Sequence, residues 1–302
     1  MSWNLQQTPM QTGRIAVVTG ANIGLGFETA LALAGKGCSV VLACRNVAKA
    51  EAAKVSIVAR HRDAVVECMQ LDLGSLKSVR TFAAAFAAHH KKLDLLINNA
   101  GIMIPPFSLS EDGFESQLAA NYLGHFALTG LLLPLIAKTP EARVVSLSSL
   151  AHKWSGIRFD DLNFKGGYSA REAYGQSKLA CLMFAYELQR RLRKAGYTTL
   201  SVAAHPGVSS TNLFQHLPKM ALLFAPLMAL LFQSAEGGAL PTLYAALGAD
   251  VNGGDYCGPQ SIGEMRGAPV KVGSSRRSRD EAVAARLWSV SEQMTGVRFL
   301  SK

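Results

Sequence analysis

"VVTGANIGLG" (residues 17–26) runs from a β-branched, apolar stretch into Gly20, Gly24 and Gly26, and then into the Ala-rich pattern "FETALALAGKG". Glycine tolerates backbone conformations that a Cβ disfavours, so the cluster lets the chain turn tightly after a buried strand. It also lets the backbone, through Asn22 and Ile23 between the glycines, approach a pyrophosphate. Exposed N–H groups and the positive end of the following helix would offset that charge. The spacing is Gly-xxx-Gly-x-Gly rather than the common Gly-x-Gly-xx-Gly dinucleotide fingerprint, so by itself the segment predicts strand, turn and helix more firmly than a ligand.

Outward from this stretch, short β-branched runs alternate with longer helical patterns. They predict strands near 14–19, 39–44, 65–71, 93–98, 143–148 and 200–204. Such alternation predicts an α/β, doubly wound (Rossmann-type) parallel sheet with helices on both faces and ligands at the carboxyl ends of the strands. The 302 residues read as a single domain, with an N-terminal arm at 1–13, an apolar segment at 212–235 and a C-terminal extension at 274–302.

Composition narrows the function. With 49% hydrophobic and 17% charged residues the chain is globular. Its net charge of +10 is scattered, clustering only at "RRLRK" (190–194) and "SSRRSR" (274–279). The first cluster closes a helix just before Gly196, where cations offset the negative helix end, so nucleic acid is not the expected partner. Five cysteines without CxxC spacing, and an opening without an apolar run, predict reduced thiols and a cytoplasmic location. The seven histidines form no two-ligand motif, and no metal is expected.

Tyr174 and Lys178, in "AYGQSKLACLMFAYELQRRLRKAG", are four apart on a predicted helix and so share a face. A free phenol ionises near pH 10, so one exchanging protons at neutral pH needs a cation beside it.

"TGANIGLG", "NNAG" (98–101), "SLSSLAH" (146–152), "YGQSK" (174–178) and "HPGVSSTNL" (205–213) resemble, in order and separation, the short-chain dehydrogenases/reductases. "ANYLGHF", "SSLAH" and the tail "LWSVSEQMTGV" are similar to the retinol dehydrogenase and protochlorophyllide reductase branch. The resemblance implies Tyr174 as general acid or base, Lys178 lowering its pKa and holding the nicotinamide ribose, and Ser149 polarising the substrate carbonyl. Ser148 is the competing serine, pointing to the other side of the strand end. Asn121 would hold a water that relays protons toward Lys178. Cofactor contacts carried over the same way are Gly20, Asn22, Ile23, Gly24, Gly26, Asp72 and Leu73 after the third strand, Asn99, Ala100 and Gly101, the pair Tyr174 and Lys178, and Pro206, Gly207, Val208 and Thr211. Asn98 would brace the sheet. Val208 backbone atoms would grip the carboxamide and Thr211 would approach the diphosphate.

At the end of the second strand stands Arg45, where NAD binders usually place an acid. Its fork suits a 2′-phosphate, so NADP(H) is expected over NAD(H). Trp154, Phe159, Phe164 and Tyr168 lie between Ser149 and Tyr174 and would wall an apolar pocket. The 13 residues 220–232 are all apolar, too few to span a bilayer. They would cover an apolar carbonyl or alcohol substrate such as retinal, a long-chain aldehyde or a steroid or polyketide-like ketone. Otherwise they would rest on a membrane surface, or pack against the body or a second copy in a homo-oligomer. Two other functions stay open. One is carbon–carbon double-bond reduction, as in protochlorophyllide reductase, where a cysteine typically stands two residues after the lysine; here Ala180 does, with Cys181 next. The other is a non-catalytic nucleotide-binding sensor.

Overall fold

The computed structural model describes residues 3–208 and 233–300. Thr211 and residues 212–232 of the apolar segment lie outside the described residues.

All six expected strands form: β1 (Ile15–Thr19), β2 (Ser39–Cys44), β3 (Val66–Gln70), β4 (Leu95–Asn98), β5 (Arg143–Leu147) and β6 (Leu200–Ala204). Two more complete the sheet, β7 (Tyr256–Pro259) and β8 (Pro269–Lys271), in the order β3-β2-β1-β4-β5-β6-β7-β8. Among the described strands of this sheet, only the β7–β8 pair is antiparallel. These two were not legible in the sequence because "YCGP" and "PVK" are short and carry Gly258, Pro259 and Pro269, residues that ordinarily argue against a strand. Proline is tolerated at this end because the sheet stops there.

Helices α1 (Gly24–Gly35), α2 (Val47–Arg60), α3 (Leu76–His89), α4 (Ser116–Ile136), α5 (Ala170–Lys194), α6 (Ala235–Leu247) and α7 (Glu281–Thr295) cover the two faces. Successive strand residues alternate between faces. Val17, Val41, Leu96 and Val144 therefore pack with α3, α4, α5 and α7. Ala16, Val18, Leu42, Ile97 and Val145 pack with α1, α2 and α6. By length and composition α4 could cross a membrane, but 72% of its apolar window is buried inside the protein, as in a core helix.

The C-terminal extension belongs to this core. Trp288 of α7 is 1% exposed and stacks on Phe184 of α5 at 5.8 Å, with Phe126 of α4 at 5.0 Å and Phe299 at 4.6 Å. Asp280 caps α7 through the Val283 N–H at 3.0 Å, and Gly296 ends it in a left-handed conformation at φ 64°. The basic end of α5 is structural, as expected: Arg190 and Arg191 each reach Glu187 at 2.7 Å.

After β3 the chain returns to place β4 beside β1, which opens a crevice at their carboxyl ends.

Candidate active site

The glycine turn and the "NNAG" segment form one bonded unit in that crevice. Gly20 and Gly24 take φ 66° and 62°, which only glycine adopts readily. A Cβ on Gly26 would lie 2.4 Å from the Gly20 carbonyl oxygen and 2.5 Å from Asn99 Nδ2, so this glycine is required by close approach. Thr19 Oγ1 accepts the N–H of Asn99 and of Ala100, both at 2.9 Å, and Asn99 Nδ2 donates to the Thr19 carbonyl at 2.8 Å. Ile23, the exposed residue before α1, offers no side-chain cap, which leaves the first N–H groups of the helix free of one. Asn99 Oδ1 is buried without a partner. Uncapped donors, an unsatisfied acceptor and glycine-only clearances together fit a dinucleotide.

Beside this cradle, Arg45 follows β2 and is exposed. Asp72 Oδ1 accepts the Gly74 N–H at 2.9 Å, which shapes the turn after β3. Leu73 points its side chain into the core, and its carbonyl oxygen would sit 2.4 Å from a Cβ on Gly124. Asn98 Nδ2 donates to Thr129 Oγ1 at 3.0 Å, the bracing role expected of it.

Helix α5 begins at a Ser169 cap and carries Tyr174 in its first turns. Lys178, one turn on, is 5% exposed; its Nζ donates to the Leu147 carbonyl at 3.1 Å and lies 5.8 Å from the Tyr174 ring centre. Gly175 lets the helix press onto the turn after β5, since a Cβ there would meet Trp154 Cβ at 3.0 Å and the Ala151 carbonyl oxygen at 3.1 Å. The two serines of that turn separate cleanly. Ser148 Oγ donates its only proton to the Lys178 carbonyl at 2.8 Å. Ser149 Oγ instead accepts the Ala151 N–H at 3.2 Å, so its own hydroxyl proton stays available for a substrate oxygen.

Asn121 sits in a π-helical turn, Ala119–Leu123, inside α4. Its Oδ1 accepts the Ile102 N–H at 2.8 Å, and its Nδ2 donates to the Ile102 carbonyl at 3.0 Å and to Ser177 Oγ at 2.9 Å. The side chain thus clasps the β4 loop to α5. A Cβ on Gly101 would lie 3.1 Å from Asn121 Oδ1 and 3.3 Å from Lys178 Nζ, so glycine keeps open the space that both groups face.

The sequence profile of the short chain dehydrogenase family matches residues 14–221. The chain belongs to the short-chain dehydrogenase family. It is an oxidoreductase that works with a nicotinamide dinucleotide on alcohol or carbonyl groups. It is 42% identical to retinol dehydrogenase 12 of Mus musculus, over 95% of this chain and 88% of that one. It is also 42% identical to retinol dehydrogenase 13 of Homo sapiens, over 94% and 85%. The chloroplastic short-chain dehydrogenase TIC 32 B of Brassica napus matches at 42% identity over 79% of this chain and 77% of its own length. Among solved structures, an uncharacterized protein from Mycobacterium Paratuberculosis superposes with a TM-score of 0.83 at 44% identity, covering 99% of both chains. A short-chain dehydrogenase from Shigella flexneri complexed with NADP shares the fold at a TM-score of 0.64 and 22% identity, covering 83% of this chain and 98% of that one.

Three histidines of this short-chain dehydrogenase hold its motifs, and sequence reasoning passed over them because it looked for metal spacing. Each stands inside a quoted motif. His125 Nδ1 faces the Asn121 carbonyl at 2.9 Å and must donate, so Nε2 accepts from Thr19 Oγ1 at 2.9 Å; burial pushes its pKa down to about 4. His152 Nδ1 donates to the Ser149 carbonyl at 2.7 Å, and burial lowers its pKa as well. His205 Nε2 donates to Glu264 at 2.9 Å while its Nδ1 accepts the Gly207 N–H at 3.2 Å. Burial chiefly pushes it down to about 3, and the charge of Lys153 adds to the effect. All three rings are neutral, one-tautomer braces. Among the described residues no cluster of three or more metal-ligating side chains exists.

The aromatics between Ser149 and Tyr174 do not act together. Trp154 is 42% exposed with its ring 6.2 Å from that of Tyr174. Phe164 is buried in the body, and Phe159 packs under Arg286 at 4.0 Å. Tyr168 spends its hydroxyl proton on the Pro105 carbonyl at 3.0 Å. Phe159 lines an apolar cavity with Ile157, Leu179, Met183 and Val283, whereas Phe164 is buried in the core, so the four do not wall one pocket together. Ile102, Ile104 and Phe107 of the β4 loop, which the sequence reading did not single out, are exposed instead. Ile104 takes φ 53°, a costly value for a β-branched residue, and its N–H is held by Gln117 Oε1 at 2.9 Å.

Proposed function

We propose that this short-chain dehydrogenase transfers hydride between NADP(H) and the carbonyl or alcohol carbon of an apolar substrate, a retinal/retinol-like molecule, a long-chain aldehyde or a steroid or polyketide-like ketone. The observation that carries the reading is the convergence of Lys178, the Tyr174 ring and the open side of Gly101 at the crevice. When bound, the nicotinamide supplies or accepts the hydride.

Every other step belongs to the chain. Tyr174 protonates the carbonyl oxygen in reduction, or accepts the alcohol proton in oxidation. Ser149 donates its uncommitted hydroxyl proton to the same oxygen and stabilises the charge developing there. Lys178, held by the Leu147 carbonyl, supplies positive charge beside the phenol and donors for the ribose hydroxyls. Oδ1 of Asn121 keeps one acceptor position after binding Ile102, and a water on it would pass protons toward Lys178 across the Gly101 gap. The N–H groups at Gly20–Gly26 and Asn99 Oδ1 hold the adenosine and diphosphate side, with the turn at Asp72 and Leu73. Thr211 is proposed for the diphosphate by the resemblance alone. Val208 N–H is spent on the Met265 carbonyl at 2.9 Å, so a carboxamide contact there would use the acceptor position its carbonyl oxygen keeps beside the Gln233 N–H at 3.1 Å. Arg45 supports the choice of NADP(H).

The retinol dehydrogenase relatives, and the exposed Ile102, Ile104, Phe107 and Trp154, support a large apolar substrate. Five free cysteines accord with a reducing, cytoplasmic setting. Double-bond reduction is the less favoured chemistry, because the Cys181 thiol is buried against the Asn121 carbonyl at 3.1 Å and its pKa is raised by burial. The test is NADPH oxidation by the wild type and Tyr174→Phe against retinal, long-chain aldehydes, steroid ketones and quinones. Turnover of an apolar carbonyl that vanishes in the variant is expected. Equal turnover in the two proteins refutes the assignment.

A further inference from the structure

We infer that His152 is a positioning residue through which the C-terminal extension holds Ser149 at the substrate oxygen. The inference rests on the role proposed above for Ser149. His152 is fully buried, with its ring edge-on to Tyr256 at 5.8 Å between centres. Its Nδ1 donates to the Ser149 backbone carbonyl at 2.7 Å, and its Nε2 accepts the backbone N–H of Ser275 at 3.2 Å. Both bonds require one tautomer: a carbonyl can only accept, and an N–H can only donate. The ring therefore spans from the turn that carries Ser149 to a segment 123 residues away from His152 in sequence.

That segment is itself anchored. Ser274 Oγ accepts from the Tyr186 hydroxyl of α5 at 2.9 Å and donates to Ser278 Oγ at 2.9 Å, whose own proton goes to the Ser275 carbonyl at 2.7 Å, and Ser278 is 1% exposed. Immediately beyond it, α7 locks into the core through Trp288. Tyr186 lies on the same helix as Tyr174 and Lys178, so Ser149 and the Tyr174 helix are registered against one shared element. A hydroxyl that stabilises a developing oxyanion acts only when held to a fraction of an ångström, and misplacement by about 1 Å costs up to about 100-fold in rate. The "SSRRSR" stretch thus contributes to the chemistry through a backbone N–H, with its arginines facing outward.

Ser275 has φ −62°, which proline adopts without strain, so Ser275→Pro deletes the N–H and Ser275→Ala keeps it. Both variants lose the side-chain cap of the following turn, and comparing them isolates the bond to His152. The measurement is kcat and KM for the carbonyl substrate, with NADPH affinity by fluorescence. Expected are a kcat about tenfold lower for Ser275→Pro than for Ser275→Ala and a change within about twofold in KM and NADPH affinity. Adding Ser275→Pro to Ser149→Ala should lower the residual kcat no further, because the displaced hydroxyl is already gone. His152→Asn keeps a donor for the Ser149 carbonyl but falls short of Ser275. It should give the same fall, and it serves if the proline variant does not fold. Equal kcat for the Ser275 pair together with a wild-type His152→Asn, or an undiminished fall in the Ser149→Ala background, overturns the inference while leaving Ser149's role intact. An unchanged kcat for Ser149→Ala alone would instead remove the underlying reading, and the inference with it.

Discussion

Lys178 Nζ donates to the Leu147 carbonyl at 3.1 Å while lying 5.8 Å from the centre of the Tyr174 ring. One end of β5 therefore holds the amine beside the phenol proposed as the acid. Lys178→Met keeps the stem and removes the donor and the charge. It is expected to lower kcat about 100-fold or more and, if the same amine serves the ribose, to raise KM for NADPH. A variant with wild-type kcat would show that the amine is only a strut.

Gly101→Ala tests the space between Asn121 and Lys178. The added methyl would sit 3.1 Å from Oδ1 and 3.3 Å from Nζ, a tight but not impossible fit. Since Gly101 is not among the residues at positive φ, the backbone tolerates alanine. The expected result is a fall of about tenfold in kcat with a thermal midpoint close to wild type. Unchanged kinetics would mean that no proton path crosses this gap.

Arg45→Ala should raise KM for NADPH by about tenfold to 100-fold and leave KM for NADH nearly unchanged, as expected if the guanidinium meets a 2′-phosphate. Parallel changes for both cofactors would assign the discrimination elsewhere.

His125 and His205 make stability depend on pH. Unfolded, each ring binds a proton near pH 6.5; folded, burial delays this to about 4 and about 3. Between those values the unfolded state holds more protons, so stability is complete above pH 6.5 and falls as the pH drops toward 4. Urea unfolding at pH 7.5 and pH 5 should differ by about 2 kcal/mol per histidine, and His125→Gln should reduce the difference. Identical curves at the two pH values would contradict the neutral-brace assignment.

Trp288→Ala removes the ring that joins α4, α5 and the C-terminus, and should cost about 3–5 kcal/mol in denaturant unfolding. A loss below about 1 kcal/mol would show that the extension is dispensable for the core.

Local pattern carried much of this protein. Alternating runs marked β1 to β6, because a buried parallel strand needs a continuous apolar stretch and its neighbours in sequence supply the covering helices. Four-residue spacing put Tyr174 and Lys178 on one helix face whatever surrounds it. Left-handed φ at Gly20 and Gly24 and close approach at Gly26 account for the glycine turn despite its unusual spacing.

What the linear order did not hold is everything made by partners far apart. β7 and β8 form because Gly258 and Pro259 lie beyond the residues of β7 that pair with β6, and Pro269 lies on the edge strand β8, which no local rule anticipates. Phe164 and Trp154 look alike in sequence, yet one is buried and the other exposed, since burial is decided by what packs from elsewhere. The second bonds of the His125, His152 and His205 rings, to Thr19, Ser275 and Glu264, reach residues up to 123 positions distant. Hydrogen-bond roles are set by which groups meet. Sequence periodicity determined the elements and the helix face that Tyr174 and Lys178 share, and only the tertiary contacts decided which hydroxyl, ring and carbonyl were left free.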